Sequence, residues 1–145
     1  MKTKVLIISA LMAFIGCFAA SAQQAATQTS QGGLTFNERI HDFGQINEAD
    51  GRVKTIFEFV NDTNVPITMT NVQASCGCTV PEWSREPIAP KKKGYISVTF
   101  NPAGRPGNFR KSITVRYTEA GSTQSKATTL NIRGEVIPAV KKVAK

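Results

Sequence analysis

The sequence predicts an all-β protein, an immunoglobulin-like β-sandwich of about seven strands. Three observations carry this prediction. Short runs with period-2 apolar alternation recur between turn signals, roughly every 8 to 15 positions. No segment shows a capped helical stripe. Pro66, Pro81, Pro87, Pro90, Pro102 and Pro106 lie at run boundaries, where a missing N–H breaks no ladder.

Leu34, Phe36, Ile40 and Phe43 suggest a first strand that breaks before Gly44. Val53, Thr55, Phe57 and Phe59 alternate with Lys54, Ile56, Glu58 and Val60, the period of a strand with one core face. Asn61 to Asn64 reads as a turn, after which Ile67, Met69 and Asn71 resume the period. Ser75 to Val80 reads as a short strand ending at Pro81. Ile96, Val98 and Phe100 follow, then a Pro/Gly-rich turn from Asn101 to Gly107. Phe109, Ile113, Val115 and Tyr117 form the next strand; Leu130, Ile132 and Val136 close the series after Gly121-Ser122.

Residues 1–22 read as a signal peptide. Lys2 and Lys4 supply a charged start, Val5 to Phe18 an apolar run, and Ala20-Ser21-Ala22 a peptidase site, with cleavage expected before Gln23. Phe14-Ile15-Gly16-Cys17 loosely resembles a lipoprotein box, so a lipid anchor on Cys17 is the competing expectation. No later stretch approaches the roughly 20 apolar residues of a membrane span. The expected protein is therefore exported to the periplasm or cell envelope and is not transmembrane. Residues 23–33, rich in Gln, Ala, Thr, Ser and Gly, read as a flexible tether. Residues 34–137 form the domain, and 138–145 a basic tail. Losing residues 1–22 removes Lys2 and Lys4 but no acid, so the formal charge falls from +8 to about +6. That surplus favours anionic surfaces. Nucleic acid is not an expected partner, because the basic residues are scattered rather than grouped around aromatic platforms.

Five segments occur in an order that resembles the bacterial domain-of-unknown-function family 1573, exported proteins common in Bacteroidetes. They are His41 to Ile46, Phe57 to Asn61, Asn71 to Trp83 with its Ser75-Cys76-Gly77-Cys78-Thr79 core, Pro87 to Pro90, and Gly107 to Val115. The resemblance runs from about Leu34 to Val136. It implies an immunoglobulin-like sandwich and no assigned enzyme activity. The chain departs from the pattern at Lys91-Lys92-Lys93-Gly94, where the family tends to place Gly directly after the proline.

Cys76 and Cys78 carry the most specific chemistry. In a regular strand residues i and i+2 lie about 6.6 to 6.8 Å apart at Cα, near the upper limit for a disulfide. A bend at Gly77, using backbone angles closed to other residues, would bring the sulfurs together, and export favours oxidation. The alternatives are an intramolecular or intermolecular disulfide, two free thiols, or a soft-metal clamp for Cu(I) with His41 or Met69 as third ligand. Zinc lacks ligands, and a dithiol oxidoreductase lacks the helix N-terminus that activates a thiol.

The remaining motifs point away from catalysis. Asp42-Phe43-Gly44 reads as a core Phe followed by a turning Gly. His41 and Asp42 are strand neighbours that face opposite ways. Ser75 lacks a nucleophile elbow. Trp83, in a Pro-bounded loop, is the candidate partner contact. The reading is a non-catalytic binding or scaffold module with no cofactor or metal, whose protein or envelope-polymer partner is met through loops or an open sheet edge, as in β-strand addition. The alternative is a thiol-redox or copper-binding protein using Cys76 and Cys78.

Overall fold

The computed structural model describes residues 29–140. The signal peptide at 1–22, the cleavage site before Gln23, Cys17, and Lys141, Lys142 and Lys145 of the basic tail lie outside the described residues.

Among the described residues nine strands form two sheets packed face to face. In chain order they are β1 (Thr29–Gln31), β2 (Leu34–Phe36), β3 (Ile40–Asn47), β4 (Val53–Asn61), β5 (Ile67–Ala74), β6 (Thr79–Trp83), β7 (Lys93–Phe100), β8 (Gly107–Glu119) and β9 (Ser125–Ile137). One sheet has the order β1-β2-β4-β7-β6 and the other β3-β9-β8-β5. All pairings are antiparallel except β3 with β9. This is an immunoglobulin-like sandwich, as the alternation predicts. Its count exceeds seven because β1 is added at one edge and the expected first strand from Leu34 to Phe43 is two strands in different sheets, β2 and β3, the latter running through Gly44 rather than breaking before it. β1 also forms within the stretch whose composition reads as a tether.

The core sits between the sheets and follows the period-2 pattern. Thr55, Phe57, Phe59 and Asn61 of β4 point inward, against Ile96, Val98 and Phe100 of β7 in the same sheet. Ile113, Val115 and Tyr117 of β8 and Leu130 and Ile132 of β9 face them from the other sheet. Each of these large apolar side chains is fully buried, which contributes roughly 1.5–3 kcal/mol apiece relative to exposure.

The segment after β5 departs from the sequence reading. Ser75 to Cys78 is not a strand but the crossover from the edge of one sheet, β5, to the edge of the other, β6. A turn closes it, with the Thr79 N–H donating to the Cys76 carbonyl at 3.3 Å. The strand then runs through Pro81 instead of stopping there. The Cys78 carbonyl accepts from Asn101 N–H, and Ser84 N–H donates to Tyr95, so both face β7. By alternation Thr79, Pro81 and Trp83 turn their backbone groups to the free edge. A proline is tolerated there because no ladder bond is lost.

The β3 and β5 edges are also interrupted, and the remaining edge strand, β1, is only three residues long. β3 carries a bulge between Asp42 and Gln45, with Gly44 at φ 63° and its N–H bonded to the Asp42 carboxylate at 2.9 Å. β5 is covered at its start by the Ile67–Ile88 bridge and shifts register between Met69 and Asn71. Such devices discourage addition of another strand.

Candidate functional site

The Cys76–Gly77–Cys78 crossover brings the two sulfurs to disulfide-bonding distance, with Cα atoms 5.3 Å apart. That separation lies inside the range a disulfide accepts, whereas a straight strand would sit at its limit. The bend does not use glycine's privileged angles. Gly77 is not among the positive-φ residues, and a Cβ there would meet no atom within 4 Å. The turn itself, not the glycine, shortens the distance. Thr79 Oγ1 lies 3.6 Å from Cys76 Sγ and 3.8 Å from Cys78 Sγ, and Cys78 is buried with the core.

The fold separates the other soft ligands from this pair. His41 lies on β3, the strand at the opposite edge of the sheet from β5, and Met69 near the far end of β5 itself. His41 bonds Glu38 Oε1 at 2.8 Å and packs edge-on against Phe43. Its neighbour Asp42 points the other way, to the Arg133 Nε at 2.8 Å. The Gly44 N–H and the Arg133 guanidinium hold the Asp42 carboxyl below its ordinary range. Phe43 packs against the core rim.

Trp83, at the end of β6, is half-buried against the core, and Arg85 lies over its ring at 3.7 Å from the centroid. Its Nε1 is buried without a hydrogen-bond partner among the described residues. Trp83 therefore anchors the loop, and the accessible chemistry belongs to its surroundings. A groove of about 470 Å³ beside it is lined by Ser84 to Ala89, Lys92, Lys93 and Tyr95. Tyr95 is 47% exposed on the outer face of β7, and Ser84 Oγ accepts its N–H. Arg85 and Lys92 have no carboxylate partner among the described residues, and Lys93 reaches Glu58 only at 3.9 Å. Three cations against one lining acid, Glu86, leave the groove basic. Ile56 and Val80, both 53% exposed, carry an apolar surface across the same sheet face.

One residue, Asn61, organises this end of the molecule, and the sequence reading assigned it only to a turn. It is fully buried. Its Nδ2 donates to the carbonyls of Val65 (2.9 Å) and Ile88 (2.8 Å), while Oδ1 accepts from Thr63 N (2.9 Å) and Thr63 Oγ1 (2.6 Å). Its backbone bonds Lys91 and Lys92. The loop that walls the groove is thereby fixed to β4. Where the family tends to have glycine, Lys91 itself adopts φ 62°, so the turn keeps its shape despite a side chain.

Two packed sheets with an open surface groove at one end define a class: an immunoglobulin-like β-sandwich. Residues 34–136 match the family described as proteins of unknown function, DUF1573, and the chain belongs to that family. No curated protein matches it. Among solved structures, the Vibrio cholerae VesB protease superposes with a TM-score of 0.60 at 16% identity, over 72% of this chain and 32% of that one. A protein of unknown function from Porphyromonas gingivalis W83 gives 0.58 at 17% identity, over 79% and 51%. The YadV chaperone gives 0.56 at 9%, over 72% and 52%. The chain spans about a third to half of the length of these proteins, and at such identities the likeness shows the fold alone. Among the described residues no helix is long and apolar enough to cross a membrane.

Proposed function

We propose that this protein is an exported, non-catalytic binding module of the bacterial cell envelope that docks an acidic partner in the basic groove beside Trp83. The observation that carries the reading is that groove. Arg85 and Lys92 stand beside the exposed Tyr95 without carboxylate partners, on a loop held rigid by Asn61. Rigid loops lose little entropy on binding, and Tyr and Arg are the side chains that contribute most at such contacts. Interrupted strand edges make β-strand addition the weaker route, so recognition falls to the groove. The chaperone-like fold of one structural neighbour is compatible with a protein partner.

Co-sedimentation with isolated envelopes tests the reading. The protein should pellet with envelopes in low salt and be released as salt is raised. The double charge reversal Arg85→Glu, Lys92→Glu should abolish pelleting, and Arg116→Glu on the opposite sheet should not. Equal pelleting by both variants would refute it.

A further inference from the structure

The outer face of the sheet that ends in β6 carries apolar side chains where a solvated strand ordinarily carries polar ones. Alternation turns Ile96, Val98 and Phe100 of β7 into the core, so Tyr95, Ser97 and Thr99 face outward. Ile56 of β4 stands directly across from Ser97, and Val80 of β6 directly across from Thr99. Among the described residues up to the end of β9, the exposed large apolar side chains are Ile40, Ile56, Val80 and Tyr95, and all but Ile40 share this face. Ser97 is 3% exposed, so its neighbours close over it and no exposed serine divides the apolar side chains on the two sides of β7.

This strip continues from the basic groove, which Tyr95 also lines. The charge changes along it. At the groove, Arg85 and Lys92 lack carboxylate partners among the described residues, whereas on the strip each lysine stands beside an acid, Lys54 with Glu82 at 3.7 Å and Lys93 with Glu58 at 3.9 Å. A uniform polyanion is therefore attracted at the groove but gains nothing further along, where it meets two carboxylates and apolar side chains it cannot cover. A polypeptide can carry acidic and apolar side chains a few residues apart on one chain. The steps from Lys93, which lines the groove, to Thr99, beside Val80, cover about 20 Å at the rise of a strand, so a segment of about seven or eight extended residues spans both regions.

We infer that the acidic partner is a polypeptide segment extended over β7, whose acidic residues meet Arg85 and Lys92 and whose next few residues lay apolar side chains on Tyr95, Ile56 and Val80. The inference rests on the basic-groove reading and goes beyond it, because it excludes a uniformly anionic envelope polymer and adds an apolar half to the site. The charges then set encounter and register, and the apolar half supplies affinity that salt does not screen.

Fluorescence anisotropy on the purified protein, with labelled octapeptides of three kinds, tests it. The first joins acidic residues to a leucine and a phenylalanine, in either order; the second has serine in place of these two; the third is all glutamate. The mixed peptide should bind, in at least one order, about tenfold or more tightly than either of the others, although the all-glutamate peptide carries the most charge. Ile56→Thr with Val80→Thr, β-branched replacements at exposed positions, should remove that advantage and leave the serine peptide unchanged. Ile40→Thr, exposed on the opposite sheet, should affect neither, and Arg85→Glu with Lys92→Glu should abolish the binding of both. All-glutamate binding as tight as that of the mixed peptide, or mixed-peptide binding indifferent to the Ile56→Thr, Val80→Thr pair, would overturn the inference and leave the groove reading standing. Failure of every acidic peptide to bind would remove the groove reading and the inference with it. If sedimentation shows a dimer that the Ile56→Thr, Val80→Thr pair dissociates, the face belongs to a second copy of this chain and the inference is again overturned.

Discussion

Replacing Asn61 by alanine should destabilise the protein by about 3–4 kcal/mol. The side chain makes four hydrogen bonds in a site closed to water. Two of its partners are not stranded by the change: the Ile88 carbonyl still accepts from Ile67 N–H at 3.0 Å, and the Thr63 hydroxyl, 2.7 Å from the Val65 carbonyl, can turn its single proton there once Oδ1 is gone. The Thr63 N–H is the group left without a partner. The cost is therefore near the ordinary net value of about 1 kcal/mol per bond, not the larger penalty of several buried orphans. Against a typical total of about 5–15 kcal/mol, this is a large fraction. Urea unfolding followed by tryptophan fluorescence would read it as a midpoint lowered by about 2 M at unchanged slope, for a slope near 1.5–2 kcal/mol/M. Asn61→Asp should be at least as damaging near neutral pH, because a carboxylate then faces two carbonyl oxygens, and should partly recover on acidification. A loss below about 1 kcal/mol for Asn61→Ala would refute the claim that this residue pins the groove loop.

Lys91→Gly should stabilise by about 1 kcal/mol, since it relieves a left-handed side-chain residue at the loss only of an exposed ion pair with Asp62; thermal melting checks the sign. Gly94→Ala should destabilise by about 2 kcal/mol or more in the same assay, because its Cβ would enter the space held by the Phe59 ring and Ile88. The intact mass under non-reducing conditions should be two hydrogens below the dithiol value, and Cys76→Ser with Cys78→Ser should lower stability by about 1.5 kcal/mol, the chain-entropy value for so short a loop. Asp42, Glu48 and Asp62 are held below their usual values chiefly by Gly44 N–H, by Gly104 N–H and by the Thr35 hydroxyl respectively. Depressed folded values mean that their contribution is present above the unfolded values of 3.8 and 4.5 and is lost as pH falls through the folded ones. The melting temperature should therefore fall between about pH 5 and pH 2, and less steeply in a Glu48→Gln variant.

The strands were legible where one face of a strand is buried, because burial imposes period 2 on residue type; β4 and β7 show this directly. The crossover at Cys76 was misread for a related reason. Ser75, Thr79 and Val80 suit a strand, yet a chain passing between two sheets must turn, and no local pattern records where that passage falls. Pro81 looked like a stop because the rule assumes a paired N–H, and only the topology reveals an edge that needs none. Asn61 sits in an Asn-Asp-Thr-Asn string that spells a turn. Its burial depends on Ile88 and Lys92, some thirty residues away, which one sequence does not bring together. Trp83 marked the right neighbourhood, but that Arg85 covers its ring is a fact of three dimensions.

The most direct test of the proposed binding role is site-specific photo-crosslinking in living cells. A photoreactive phenylalanine analogue is placed at Tyr95 in the basic groove, or at Thr129, which is exposed on the opposite sheet. The proposal predicts a discrete adduct from position 95 that disappears when Arg85 and Lys92 are reversed in charge, and none from position 129. Absence of an adduct at 95, or the same adduct from both positions, would contradict it.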